Sequence, residues 1–329
     1  MKAHAKAPGK VILFGEHFVV YGEPSIVMAI NRYAHVTINL RDDKAIHITS
    51  RDLNVEGIFR NDEYIPIVGS KEDRLKLQPI KFCVDKIADI LGEKIGVDIT
   101  IRSELPVASG LGSSAAVAVA TTAALSKLLD LKLDLSKVNE LAFEAEKIVH
   151  GTPSGVDNTI ATYGGIILYT KGMKLKIERA KASKSLPLVI GDTRIPRSTK
   201  VMVENVRKLY EKHKKLISTV MQAYKELYLE AVNALAVGDL EKIGELMCIN
   251  HGLLWSIGVS NEFLDKLVHT ALDAGALGAK LTGAGGGGCM IALSYEDSLE
   301  RIANAIKNAG GRVITALTEN IGVKVWVEE

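Results

Sequence analysis

Pro106-Val-Ala-Ser-Gly-Leu-Gly-Ser-Ser-Ala-Ala116 is the stretch on which the reading of this chain turns. Two glycines and three serines stand immediately before a long alanine-rich run. Glycine lets a backbone approach a ligand closely, and the first turn of a helix offers unpaired N–H groups at the positive end of its dipole. The segment is therefore an anion site in outline, in which Ser113 and Ser114 can cap the helix, donate to phosphate or ligate magnesium. A tight strand-to-helix turn with a serine cap explains a lone segment of this kind equally well, so its surroundings must decide.

Upstream, Lys10 to Phe14, Ala34 to Leu40, Ala45 to Thr49 and Val97 to Ile101 alternate or run apolar as strands do, so the first hundred residues are mostly sheet. A helix is predicted from Pro79 to Leu91, and two more from about Ser113 to Leu129 and Leu135 to His150. In the last of these, Val138, Leu141, Ala142, Ala145, Ile148 and Val149 share one face. After Gly164-Gly165 come a strand pair, Ile166 to Tyr169 and Lys174 to Ile177, and a polar stretch from Glu178 to Ser185. The domain boundary is placed there, giving domains 1–183 and 184–329. The second half has a strand at Leu186 to Gly191, three helical segments between about Thr199 and Trp255, another from Asn261 to Ala274, and late strands at Cys289 to Leu293, Arg312 to Leu317 and Val323 to Val327. A length of 329 residues supports two cores, and the fold class is α+β.

Several function classes drop out. With 41 basic and 39 acidic residues the net charge is +2, which argues against a dedicated nucleic-acid or anionic-membrane surface. The basic run from Lys208 to Lys215 reads as the solvated face of a helix. Met1 to Lys10 has no apolar core of signal-peptide length, and the longest apolar run, Ala115 to Leu125, is about half of the roughly 20 residues a spanning helix needs. Cys83, Cys248 and Cys289 show no C-x-x-C spacing and fit a reducing cytoplasm. Gly110 to Ala115 and Gly283 to Gly288 both satisfy dinucleotide-type glycine spacings, but the first follows several strands of antiparallel-looking sheet and the second leads into a strand. The phosphate-loop pattern G-x-x-x-x-G-K-[ST] is absent.

Three further segments complete the pattern: Ala7-Pro-Gly-Lys-Val-Ile-Leu-Phe-Gly-Glu-His-Phe-Val-Val-Tyr-Gly22, Glu144-Ala-Glu-Lys-Ile-Val-His-Gly-Thr-Pro-Ser-Gly-Val-Asp-Asn158 and Lys280-Leu-Thr-Gly-Ala-Gly-Gly-Gly-Gly-Cys289. Each alone has a bland reading: a solvated lysine at a strand edge, an aspartate capping a short helix, a glycine loop. The last of these carries five glycines in six positions, which are costly to order and are better explained by a backbone passing close to a ligand. Together, in this order and spacing, the four resemble the GHMP kinases, named for galactokinase, homoserine, mevalonate and phosphomevalonate kinases. The resemblance runs from residue 3 to about residue 293. Within the family, Gly15 to Gly22, His150 to Asn158 and Lys280 to Cys289 are most similar to members that act on mevalonate. A lysine at position 10 favours a kinase over the related decarboxylase.

The resemblance implies an N-terminal domain like the second domain of ribosomal protein S5 and a ferredoxin-like C-terminal domain. It also implies that the last strand returns to the first domain, which then takes in 320–329. It implies ATP as phosphoryl donor and Mg2+ as cofactor, with mevalonate phosphorylated on its 5-hydroxyl. Pro106, Val107, Ala108, Ser109, Gly110, Leu111, Gly112, Ser113, Ser114, Ala115 and Ala116 would hold the nucleotide. Ser114 and Glu146 would complete the metal shell; periodicity alone leaves Glu144 and Glu146 equivalent. Asp157 would be the base beside Lys10, Glu16 and His17 would line the acceptor pocket, and Thr193 would touch it. The 282–288 loop would close over the phosphates or steady the 106–116 loop. Another GHMP kinase, acting on homoserine, phosphomevalonate or a sugar, is the nearest alternative, and a non-catalytic metabolite sensor is the alternative from another class. No nucleic-acid or membrane partner is expected, and a homodimer is admitted.

Overall fold

The computed structural model describes residues 1–60, 63–107, 109–151, 153–170 and 176–328, with His150 and Lys176 described by their backbone alone. The first half is built from β1 (Lys2–Phe14), β2 (Ser25–Arg41), β3 (Ile46–Ser50), β4 (Val55–Arg60), β5 (Glu63–Val68), α1 (Arg74–Leu91), β6 (Gly96–Ser103), α2 (Ser113–Leu128), α3 (Leu135–His150), α4 (Val156–Tyr163), β7 (Ile166–Thr170) and β8 (Lys176–Arg179). The second holds β9 (Leu188–Asp192), α5 (Thr199–Lys212), α6 (Lys214–Val237), α7 (Leu240–Ser256), α8 (Glu262–Asp273), β10 (Gly278–Thr282), β11 (Cys289–Leu293), α9 (Leu299–Asn308), β12 (Arg312–Ala316) and β13 (Lys324–Glu328).

Among the described residues the first sheet has nine strands, in the order β13-β1-β2-β6-β3-β4-β5, with β7 paired to β2 and β8 to β7. The second is antiparallel, β10-β11-β9-β12, the strand order of a ferredoxin-like domain. The molecule is thus α+β with two sheets, and β13 leaves the second to pair with β1, Ala3 opposite Val327.

Strand β1 begins eight residues before the predicted Lys10. Ala3, Ala5 and Ala7 point into the core while Lys2, His4 and Lys6 face outward, so the small-basic alternation of the N-terminus is a period-two strand. Strands β4 and β5 go beyond the sequence expectations. Helix α1 starts at Arg74, with Pro79 inside it rather than at its first turn. The N–H that proline lacks would have bonded the carbonyl of Leu75, an exposed residue whose carbonyl water can serve. Lys174 of the expected strand pair lies outside the described residues.

Helix α2 is the centre of the first domain. It packs on β1 and β2 and against α1, α3 and α4. From Ala115 to Leu128 it is buried on nearly every side, and its many Ala and Thr side chains allow neighbours to approach closely. Asp134 caps α3 by accepting from the Lys137 amide at 2.7 Å, which fixes where that helix enters the core.

Candidate active site

The glycine-serine segment lies where β6 gives way to α2, with positive φ at Gly110 (80°) and Gly112 (76°). An L side chain at either would be strained, and a Cβ at Gly112 would stand 3.0 Å from Cγ of Lys10. The loop is pinned to β1 by a bond from the Lys10 amide to the Leu111 carbonyl, 2.9 Å. The predicted anion loop and the predicted lysine therefore share one wall, and the first turn of α2 opens beside them. Ser109 is buried, and its hydroxyl donates to the Pro106 carbonyl at 2.7 Å. Ser113 meets Ser103, hydroxyl to hydroxyl, at 3.2 Å. Ala108 lies outside the described residues.

Behind the loop, the Ser114 hydroxyl donates to Oε1 of Glu146, which reaches across from α3 and is buried. Glu144 turns outward and accepts from Lys147. The two glutamates, equivalent by periodicity, differ in space: one faces α2, the other solvent.

Lys10 is 7% exposed, and its Nζ lies 3.2 Å from Oδ1 of Asp157 in the first turn of α4. Gly155, at φ 81°, makes the turn into that helix. Asn158 is anchored to Asn139 of α3 through Nδ2 at 2.7 Å, which fixes the rotation of α4 and with it the direction of Asp157. A cleft of about 200 Å³ opens at the pair, lined by Lys10, Asp157, Ser25 and Ser154 and by apolar Val19, Val20, Val27, Val156 and Tyr169. A larger cleft of about 260 Å³ lies by Arg32, Glu296 and Thr315, and none of the expected site residues reaches it. Chemistry, not volume, selects the first.

Glu16, His17 and Thr193 do not line the cleft, and each is buried. Glu16 forms an ion pair with Lys280 of β10, both side chains wholly buried, and Lys280 also donates to the Leu281 carbonyl at 2.8 Å. Burial pushes the Glu16 carboxyl up and the Lys280 ammonium down from their ordinary values, against the attraction between them. Nε2 of His17 lies 2.8 Å from the Ala284 carbonyl; a carbonyl only accepts, so Nε2 carries the hydrogen. Burial lowers the pKa of His17. Thr193 donates its hydroxyl to the Gly288 carbonyl at 2.9 Å. His17 and Thr193 join the second domain's glycine loop to its surroundings, and Glu16 holds the strand that leads into it. Thr282 does the same for β1, its hydroxyl donating to the Ile12 carbonyl at 2.9 Å and accepting from the Ile12 amide at 3.2 Å.

Sequence reasoning gave no role to Lys280 or Arg197. Lys280 opens a quoted motif, but nothing local marks its partner 264 residues away. Arg197 follows the Asp192 to Pro196 loop and gave no signal.

A glycine-rich loop opening a buried helix, a hydroxyl-carboxylate pair behind it and a lysine-aspartate pair in the adjoining cleft have the chemistry that phosphoryl transfer asks of a site. The comparisons with known proteins agree. The family model of the GHMP kinases N terminal domain matches residues 79–165, and that of the GHMP kinases C terminal matches residues 229–312. The mevalonate kinase of Pyrococcus furiosus is 40% identical over 335 residues, covering 99% of this chain and 98% of that protein. That of Pyrococcus horikoshii is 39% identical over 337 residues, covering 98% and 97%. The crystal structure of L. major mevalonate kinase in complex with R-mevalonate superposes with a TM-score of 0.84 at 32% identity, covering 96% of each chain. This chain belongs to the GHMP kinases, and it is an ATP-dependent kinase of small molecules.

Proposed function

We propose that this protein transfers the γ-phosphoryl group of ATP to the 5-hydroxyl of mevalonate. The observation that carries the reading is the Lys10–Asp157 pair, set 3.2 Å apart in a cleft whose remaining wall is largely apolar. Likeness to mevalonate kinases over nearly the whole chain supports the choice of acceptor. Pro106 to Ala116 hold the nucleotide phosphates through backbone amides and the first turn of α2. Asp157 accepts the proton of the attacking hydroxyl, and the Lys10 ammonium steadies negative charge on that oxygen as it approaches phosphorus. Val19, Val20, Val27, Val156 and Tyr169 exclude water from the acceptor, which protects the phosphoryl group from hydrolysis.

Ser114 and Glu146 would hold the magnesium ion. Their donors are a hydroxyl and a carboxylate, the hard oxygens that magnesium prefers, and among the described residues no cluster of three or more His, Cys, Asp or Glu exists that would hold a metal without a nucleotide's oxygens. Bound there, the ion neutralises charge on the β- and γ-phosphates. His17 fixes the 282–288 loop and Glu16 fixes β10 against the first domain, while Thr193 steadies the same loop within the second, so the three act on the acceptor only indirectly. Domains divide at 183/184, with 320–329 belonging to the first, and the enzyme works in the cytoplasm. Among the described residues no helix is long and apolar enough to cross a membrane.

The reading is tested by Lys10→Met, assayed with mevalonate and MgATP. Loss of kcat by at least about 100-fold with ATP affinity retained is expected. An unchanged kcat removes Lys10 from the reaction.

A further inference from the structure

One side chain that the mechanism does not use joins the two glycine-rich loops. Arg197, in the segment between β9 and α5, sends its guanidinium between them. Nη2 donates to the Ser109 carbonyl at 3.1 Å; Nη1 donates to the Thr282 carbonyl at 3.3 Å and the Gly287 carbonyl at 3.5 Å. All three acceptors are backbone oxygens, and among the described residues no carboxylate forms an ion pair with it. Asp192 is held instead by Arg312 through Nε at 3.0 Å and through Nη2.

The fit explains part of the glycine content. A Cβ at Gly110 would stand 2.0 Å from Nη2 of Arg197, one at Gly283 2.9 Å from the same atom, and one at Gly288 2.6 Å from Cζ. Glycines of both loops thus leave room for the guanidinium. Cys289 adds a weaker contact of the same kind, its thiol 3.6 Å from the Ser109 carbonyl. A planar guanidinium fork reaches carbonyls on two loops at once, whereas an ammonium is a single point of donation.

We propose that Arg197 is a positioning residue: it clasps the 106–112 loop of the first domain to the 282–288 loop of the second, and so holds the nucleotide loop in its receiving conformation before ATP arrives. The inference rests on 106–116 being the nucleotide loop. Arg197 acts through backbone carbonyls and not on the reacting atoms. Ordering the loop in advance lowers the cost of binding, so loss of the clasp appears first in nucleotide affinity.

Arg197→Lys keeps the charge and loses the fork; Arg197→Ala with added methylguanidinium restores the fork without the tether. The test measures amide hydrogen exchange of 107–116, with and without MgATP, together with both KM values and kcat. For Arg197→Lys the clasp predicts at least about tenfold faster exchange of the nucleotide-free loop and an ATP KM raised about tenfold, with acceptor KM unchanged and a smaller change in kcat. Methylguanidinium should recover much of the ATP KM in Arg197→Ala. Equal exchange and equal ATP KM in wild type and Arg197→Lys would overturn the clasp, as would a rise confined to acceptor KM, which would place Arg197 on the acceptor. If MgATP gives no protection to 107–116 in the wild type, the nucleotide-loop assignment fails instead, and the nucleotide-free comparison still decides whether the clasp exists.

Discussion

Lys10 and Glu16 are six positions apart, yet their ion pairs are different physical objects. Asp157 is about one-third exposed at the cleft, so its pair with Lys10 contributes little to stability and is read best through chemistry. Asp157→Asn should retain substrate binding and lower kcat by at least about 100-fold, measured by steady-state kinetics in both substrates; a kcat within a few-fold of wild type would remove the base. Glu16 and Lys280 are wholly buried, and breaking such a pair on one side leaves an uncompensated charge. Glu16→Gln should therefore cost about 3–5 kcal/mol in a denaturant melt, and the double variant Glu16→Met with Lys280→Met should cost less than that single change. A single variant of wild-type stability would mean that the pair holds nothing together. The segments around Lys10, Glu146 and Asp157 were legible in the sequence because each lies in a contiguous motif. The burial of Glu16, His17 and Thr193 was not, because their partners lie 264, 267 and 95 residues away in β10 and the glycine loop after it, whose approach no local pattern encodes.

Among the elements, legibility followed periodicity. Helix α3 occupies the predicted span, since its apolar face and its Asp134 cap are both local signals. Helix α1 was read five residues short; Pro79 stands inside it, where its missing bond falls on the carbonyl of the exposed Leu75. Strand β4 buries Val55, Gly57 and Phe59 in alternation, but a glycine at one buried position and Ile58 on the outer face hide that period in the sequence, and β5 exposes Ile65, Ile67 and Val68 at the sheet edge. The last strand was legible as a strand, but its return to the first sheet only through family resemblance. The segment leading to it crosses from the second sheet to the first, where Glu319 donates its amide to the Ala29 carbonyl at 2.9 Å and Val323 donates to the Thr162 carbonyl at 3.2 Å. Gly322 passes so close to the end of α4 that a Cβ would stand 1.9 Å from the Thr162 carbonyl oxygen. Gly322→Ala should therefore lower stability by about 1–3 kcal/mol, since backbone on both sides must shift, and thermal melts measure it. Because α4 carries Asp157, the same variant should lower kcat more than ATP affinity.

Across the whole molecule, a buried histidine at the domain junction and a second histidine inside the second domain make stability sensitive to pH. Burial depresses the pKa of His17, bonded to Ala284, and of His251, whose Nδ1 accepts from the Leu281 amide at 3.3 Å and whose Nε2 faces Asp265 at 3.2 Å. A depressed folded-state pKa means that the unfolded chain takes up protons first as pH falls. Stability from both groups is therefore complete above the unfolded value of about 6.5 and is lost on acidification through the folded values. Melting temperature should fall from pH 7 to pH 5.5, and the fall should be shallower in His17→Gln with His251→Gln; an equal slope would exclude the two histidines as its source. The central claim concerns the reaction itself. The purified protein should be given MgATP with mevalonate, phosphomevalonate, homoserine or galactose separately, ADP followed in time, and the new ester located by phosphorus NMR. Mevalonate-dependent ADP release with phosphate on the 5-oxygen is the predicted result; turnover only with another acceptor, or with none of them, would contradict it.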